Sequence, residues 1–399
     1  MSNFGHLLRG SLLVAGTSIG GGMLALPVLT SQAGFLPSIF IYFACWLFMA
    51  CTGLLFLEVS LWMKGEANIV TMATRTLGVA GKVAAWGLYL FLFYCLTLAY
   101  IVGAGDLISN LLQGMISLSS WQAQLLFLAI FGPLVYCGAR IIGPLNLFLM
   151  LGLGLSYFAF VYLGANFVDS NLLIQANWSK IWFALPITFT AFAYQGIVPT
   201  LVTYMHRDVR QVRLAILIGS FLPFITYVIW QWLILGIVPV DGPNSLSEAL
   251  RQGQNAVHPL KHVLDVSAVY VVGQYFAFFA LLTSFLGVTL GLLDFLADGL
   301  KVPKTAVNKI WLCLLIFIPP VLFALIYPHV FLIALDYAGG FGCALLLGLL
   351  PVLMVWVGRY HMHLKGEYQV SGGRPLLVIL GLFVIVELFC QFGVLLSPA

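Results

Sequence analysis

Two stretches of the sequence set helix-breaking and small polar residues in the middle of apolar runs. The first reads Gly16-Thr17-Ser18-Ile19-Gly20-Gly21-Gly22-Met23-Leu24-Ala25-Leu26-Pro27. The second reads Phe189-Thr190-Ala191-Phe192-Ala193-Tyr194-Gln195-Gly196-Ile197-Val198-Pro199. Each glycine costs a helix about 1 kcal/mol relative to alanine. Pro199 removes a backbone donor and disfavours helix at Val198. Unwound backbone is therefore expected at 16–22 and at 192–197. Exposed amides at the start of a half-helix can bind a carboxylate, helped by the helix dipole. Unpaired carbonyls at the other half-helix end can hold an ammonium or a cation. Together these groups suit an amino acid.

The candidate contacts in the first stretch are Gly16, Thr17, Ser18, Gly20, Gly21, Gly22 and Met23. In the second they are Phe189, Phe192, Ala193, Tyr194, Gln195 and Gly196, whose rings could flank an apolar or aromatic side chain. Tyr94, Thr97 and Tyr100 in a third apolar segment and Ser284 and Gly287 in an eighth complete the set. A bulky residue at Gly22 is expected to stop binding while leaving the fold intact. Three carboxylates in apolar runs, Glu58, Asp106 and Asp294, are candidates for carrying a coupled proton, because burial and exposure favour opposite protonation states. Glu58 can alternatively reach the interface beside Lys64. Asp294 and Asp298, one turn apart, are expected to face Arg9 or the 207–213 arginines at an inner gate. Asp336 and Glu387 look solitary and receive no role.

Something apolar must position these groups. Hydrophobic residues make up 62% of the 399 and charged residues 8%, against about 25% charged in soluble proteins. So few charges cannot cover a soluble surface of this size, which excludes a cytosolic enzyme, a nucleic-acid binder and a disordered chain. Lipid must be the main solvent. Runs of about 20 apolar residues predict eleven spans, at 7–31, 35–63, 83–113, 121–139, 143–165, 181–205, 211–238, 267–298, 308–327, 330–357 and 375–396. The glycines make the first run a retained span rather than a signal peptide. With the N-terminus in the cytoplasm and the C-terminus outside, only Lys180, Arg251 and Lys261 of the 17 Lys and Arg residues fall outside. The 239–266 connection is expected to cap the outer mouth.

The broken spans are the first and the sixth. Breaks at matching places in two five-span halves point to an inverted-repeat transporter. The halves are 1–165 and 166–357, with 358–399 adding a loop and an extra eleventh span. The seven cysteines sit in apolar runs with no C-x-x-C pair and read as free, packed thiols. The seven histidines lie in or near loops, so neither a metal nor a cofactor is expected. No P-loop is present, which argues against ATP as a partner. A membrane channel is the rival class, but no repeated polar lining or filter motif supports it.

The Gly16 to Pro27 segment resembles the first-span signature of the hydroxy and aromatic amino acid permeases. Phe192 through Pro199 and on to Tyr204-Met205 is similar to their sixth span. Thr283-Ser284-Phe285-Leu286-Gly287-Val288-Thr289-Leu290-Gly291-Leu292-Leu293-Asp294 and Gly372-Gly373-Arg374-Pro375 resemble their eighth span and the approach to their last. The resemblance covers nearly the whole chain and is nearest to the tyrosine-specific branch. It implies an all-α leucine-transporter-type fold with one extra helix, and cation-coupled uptake of an aromatic amino acid across a bacterial inner membrane. Tyrosine is the first choice; tryptophan, phenylalanine or serine/threonine are the alternatives. The branch implies a proton as the coupled ion. The broader fold implies instead a sodium held by Thr283 and Ser284 with the carbonyls of Gly16, Ile19 and Ala280. Both ions stay open at the level of sequence.

Overall fold

The computed structural model describes residues 3–63, 65, 67–112, 116–263 and 267–396. Lys64, expected beside Glu58, and the last three residues lie outside the described set. Among the described residues the chain is helical, with no strand and one isolated antiparallel bridge, Gly34 to Ala176. Ten helices are long and apolar enough to cross a membrane, and a bent pair makes a further crossing if its halves count as one.

The bent pair is α1 (Asn3–Ser18) and α2 (Gly21–Thr30), which meet at 54°. After them come α3 (Phe35–Trp62), α4 (Ile69–Leu112), α5 (Ser120–Cys137) and α6 (Ala139–Gly164). The next crossing is made of a 3₁₀ segment Trp178–Ala184, α7 (Leu185–Ala191), a 3₁₀ turn Gln195–Ile197 and α8 (Val198–Tyr204). Then follow α9 (Val209–Ile237), the short α10 (Leu246–Arg251) and α11 (Leu260–Val263), and α12 (Ser267–Gly299). The chain ends with α13 (Ala306–Ile326), α14 (Phe331–Tyr337), a π-helix Ala338–Leu349, α15 (Leu350–Tyr360) and α16 (Gly373–Leu396).

Three local features depart from the expected spans. Helix α4 begins well before residue 83, because Ile69–Leu77 is already helical and Gly78, at φ 70°, turns the chain into the crossing. A single residue, Gly138 at φ 81°, separates α5 from α6. The π-helix was not anticipated. Its glycines allow close approach: a Cβ on Gly339 would overlap the Pro186 carbonyl, and one on Gly340 would overlap Gln391. Cys137 is exposed at the end of α5, unlike the packed thiol expected there.

The two broken crossings are tied together at one end. Asn177 N–H donates to the Ala33 carbonyl at 2.8 Å beside the Gly34 bridge. The 239–263 connection lies over α2, where Ala256 N–H donates to Leu24 O at 3.0 Å and Ala256 and Val257 are buried. His258 sits in this cap. Burial, then His262 and Lys261, push its imidazole pKa down.

Candidate functional site

Both expected breaks are present, and each is narrower than expected. Helix α1 runs through Ser18, and Gly21 and Gly22 already belong to α2, so the first break is Ile19-Gly20. Gly20 is extended, at φ −169° and ψ −151°. The second break is Phe192–Tyr194, followed by the 3₁₀ turn. Gly21 and Gly22 are helical, and the glycines of this stretch serve close contact. A Cβ on Gly20 would overlap the Ser284 hydroxyl, and one on Gly21 would press on the Tyr100 ring. A Cβ on Gly22 would sit 3.2 Å from Ala191 Cα and 3.5 Å from its nitrogen, so α2 and α7 touch backbone to backbone at the breaks.

The structure brings together only part of the expected set. Ser284 Oγ accepts from Gly21 N–H at 3.3 Å, and Tyr100 packs on the same glycine. Phe192 is buried edge-on to Tyr227, with ring centroids 5.0 Å apart. Met23 is buried in α2, and Ala193 is half-buried within the second break. Gly196 and Gly287 face open space. Tyr94 instead donates to Leu315 O of α13, at 2.9 Å. Thr17 is exposed and bonds back to Leu13 O at 2.8 Å. Thr97 donates to Phe93 O of its own helix at 2.7 Å, and Gly16 packs toward Met150 of α6. Phe189 packs against the tilted ring of Phe48 of α3 and stacks with Phe383 of α16, centroids 5.1 and 5.9 Å away. Tyr194 and Gln195 dock the second break on α3: Tyr194 Oη donates to Met49 O at 3.0 Å, and Gln195 Nε2 donates to Thr52 Oγ1 at 3.0 Å.

Of the expected cation groups, Thr283 Oγ1 has Phe279 O at 2.8 Å and Ala280 O at 3.2 Å in its own helix. Glu58 does not reach the interface. It is buried and paired bidentately with Arg359, whose Nε donates to Oε1 at 2.7 Å and whose guanidinium also binds Oε2. Val370 N–H donates to the same carboxylate at 2.8 Å. Asp294 pairs with Lys304 at 2.6 Å on the surface rather than with the arginines named from sequence. Arg207 spends its donors on the last carbonyls of α3, Leu61 at 2.7 Å and Met63 at 3.1 Å, and Arg213 lies over the Tyr368 ring. Asp106 is half-buried in α4.

Sequence reading missed Tyr227. Its hydroxyl lies 2.7 Å from Ser18 O and 2.8 Å from Ala191 O, the carbonyls at the ends of α1 and α7. One turn on, Gln231 accepts from Tyr42 Oη at 2.8 Å and donates to Thr30 Oγ1 at 2.7 Å, joining α2, α3 and α9. The available signal was two polar residues four apart within one apolar span. The Ser18 hydroxyl, beside the first break, is buried with no partner among the described residues. Toward the opposite side a cavity of about 780 Å³ is lined by Gly196, Ile197, Thr200, Gly287, Gly291 and Asp294, among others.

A helical chain with two crossings broken at one contact, over an open cavity, defines a membrane transport protein of the broken-helix class rather than an enzyme. The family model for the tryptophan/tyrosine permease family matches residues 4–391, and the chain belongs to that family. It is 34% identical over 391 residues to "Tyrosine-specific transport system 1" of Haemophilus influenzae, with 94% of each chain covered. It is 31% identical over 387 residues to "Tyrosine-specific transport system 2" of the same organism, covering 96% of this chain and 95% of the relative. To the "Tryptophan-specific transport protein" of that organism it is 29% identical over 401 residues, covering 97% and 96%.

Tyr227 has one proton for two carbonyls, so Tyr227→Phe leaves both without a donor. An unsatisfied buried acceptor costs roughly 1–3 kcal/mol. Transport by Tyr227→Phe is expected to fall roughly tenfold with little change in folded yield. Wild-type initial rates in vesicles would show that the bridge between the breaks is dispensable.

Proposed function

We propose that the chain imports an aromatic amino acid, tyrosine first, by alternating access driven by a proton gradient. The observation that carries this reading is the meeting of the two breaks at Gly22 and Ala191, with the Tyr227 hydroxyl on both half-helix ends. The substrate carboxylate meets the start of α2 and the unpartnered Ser18 hydroxyl, where the dipole favours an anion. The ammonium takes the converging carbonyls of α1 and α7. The aromatic ring lies against Tyr100 and Phe192, and the cavity beside Gly196 and Gly287 is its path to the cytoplasm. Identity of 34% and 31% to two tyrosine-named relatives, against 29% to the tryptophan-named one from the same organism, supports tyrosine.

In this reading the chain crosses the inner membrane eleven times, with the N-terminus cytoplasmic and the C-terminus external. Residues 1–165 and 166–357 are the inverted repeats, and 358–399 add the last crossing. The cavity then opens inward, and the cap over α2 closes the outer side. Neither ATP nor a cofactor is needed. A sodium at Thr283 and Ser284, with Gly16, Ile19 and Ala280, is the rival, because both hydroxyl oxygens keep lone pairs for a cation beside the hydrogen bonds they make; the family resemblance favours the proton. Among the three carboxylates read from sequence, Glu58 is held by Arg359 and Asp294 by Lys304, which leaves Asp106.

The test is uptake of labelled tyrosine into proteoliposomes under imposed gradients, with unlabelled amino acids as competitors. Accumulation driven by an inward proton gradient without sodium is expected, with competition by aromatic amino acids. A response to sodium alone, at fixed pH and zero potential, would falsify the coupling. Competition by serine but not tyrosine would remove the aromatic assignment. Gly287→Leu fills open space on a helix where leucine is well tolerated. It is expected to keep the folded yield and to cut uptake at least tenfold (about 1.4 kcal/mol); undiminished uptake would exclude the cavity as the path.

A further inference from the structure

Asp336, Glu387 and Gln391 converge where α16 meets the start of the π-helix. Gln391 Nε2 donates to Asp336 Oδ2 at 2.9 Å. Glu387 stands one turn before Gln391 on the same face of α16. It is fully buried, and neither of its carboxylate oxygens has a hydrogen-bond partner among the described residues. Gln391 Oε1 is buried and unpartnered as well. The ionisable groups around Glu387 are Asp336 of α14, Cys45 of α3, Cys343 of the π-helix and Cys390 of α16. The ion pairs Glu58–Arg359 and Asp294–Lys304 lie elsewhere.

This cluster is short of donors. Asp336 and Gln391 Oε1 are acceptors, and an ionised Glu387 would add two more. An ionised carboxylate with no partner in apolar surroundings is costly to bury. A proton on the pair supplies the missing donor. The cluster also touches the transport machinery. Thr190 of α7 donates to Leu335 O at 2.7 Å, and the glycine after Ala338 lies against the Pro186 carbonyl of the same helix. Helix α7 ends at Ala191, the residue in contact with Gly22. π-Helical backbone, such as that against Gln391, occurs frequently at functional sites.

We propose that Asp336 and Glu387 form a proton-binding site whose occupancy is coupled through α7 to the broken crossing. The proposal rests on the proton-driven reading above and moves the coupled proton from Asp106 to this pair. In one state the two carboxyl groups hold one proton and a single negative charge. In the other they hold two protons and no charge. The added proton comes from one aqueous phase and leaves to the other, and no bond in the substrate changes. Displacement of α7 against Leu335 and Gly339 alters the seat of Asp336 and so selects the state.

The test uses the full chain in proteoliposomes, with Asp336→Asn, Glu387→Gln, Glu387→Asp and Asp106→Asn. Two readouts are taken: counterflow of labelled tyrosine, and proton influx per tyrosine from a trapped pH dye. Asp336→Asn and Glu387→Gln should keep counterflow within about twofold and lose at least about tenfold of proton-driven accumulation. Their proton influx should vanish, and Glu387→Asp should restore it. A wild-type proton-to-tyrosine ratio in both neutral variants overturns the site, as does loss of that ratio in Asp106→Asn alone. Loss of counterflow in Glu387→Gln also overturns it, because a group that only carries the proton leaves exchange intact. Wild-type protein that accumulates tyrosine with no proton influx overturns the underlying reading instead.

Discussion

Gly22→Leu is expected to abolish uptake and to destabilise the folded protein. The reason is the backbone contact between α2 and α7. Even a methyl group at Gly22 would lie 3.2 Å from Ala191 Cα, and backbone atoms cannot turn aside as a side chain can. A leucine must push the two half-helices apart, and overpacking of this kind typically costs 1–3 kcal/mol. It also separates the carbonyls of Ser18 and Ala191 that Tyr227 bridges. Gly22→Ala should fall between the two. The checks are initial uptake rates and the midpoint of thermal unfolding in detergent. From sequence, the leucine would block a binding surface and spare the fold. A normal midpoint with lost uptake would restore that view, and normal uptake would show that the half-helices need not touch.

Glu58→Ala is expected to have the largest effect on stability. Glu58 and Arg359 are both buried, and they join α3 to the end of α15 and to the 361–372 segment through Val370. Removing one partner of a buried pair leaves an uncompensated charge and costs about 3–5 kcal/mol. Replacing both by methionine should recover much of that loss, since the hydrophobic pair has no charge to desolvate. Unfolding midpoints of the two single variants and the double variant decide the matter. Equal midpoints for Glu58→Ala and the wild type would mean that the pair is not an anchor.

The membrane character and both backbone interruptions were legible because they depend on local chemistry. Apolar run length sets where a span can lie, and Gly20 or Pro199 weakens a helix wherever it occurs. Partner choice depends on three-dimensional contact, and there the sequence misled. Glu58 lies six residues from Lys64 in the chain, yet its partner Arg359 comes from a helix some 300 residues later. Gly339 and Gly340 read as two more glycines of an ordinary membrane helix until the Pro186 carbonyl and Gln391 are seen against them. Tyr227 has the ring of a packing residue, and only its spacing from Gln231 sets it apart. Phe189 and Tyr94 have the ring types a substrate pocket needs, but neighbouring helices already occupy them.

The tie between Ala33 and Asn177 has a mechanical consequence. It clamps α2 to the segment leading into α7 at one end, while Gly22 and Ala191 hold the pair together further along. These two ties join the elements into one arm. On the other side of the joint, α1 lies along α9, with Gly219 set against the Ser11 carbonyl, so it forms a second arm. Tyr227 sits at the elbow, its hydroxyl within hydrogen-bond distance of both arms. Because α1 is 16 residues, or roughly 24 Å, long, a tilt of a few degrees at the elbow becomes an opening of an ångström or more at its far end.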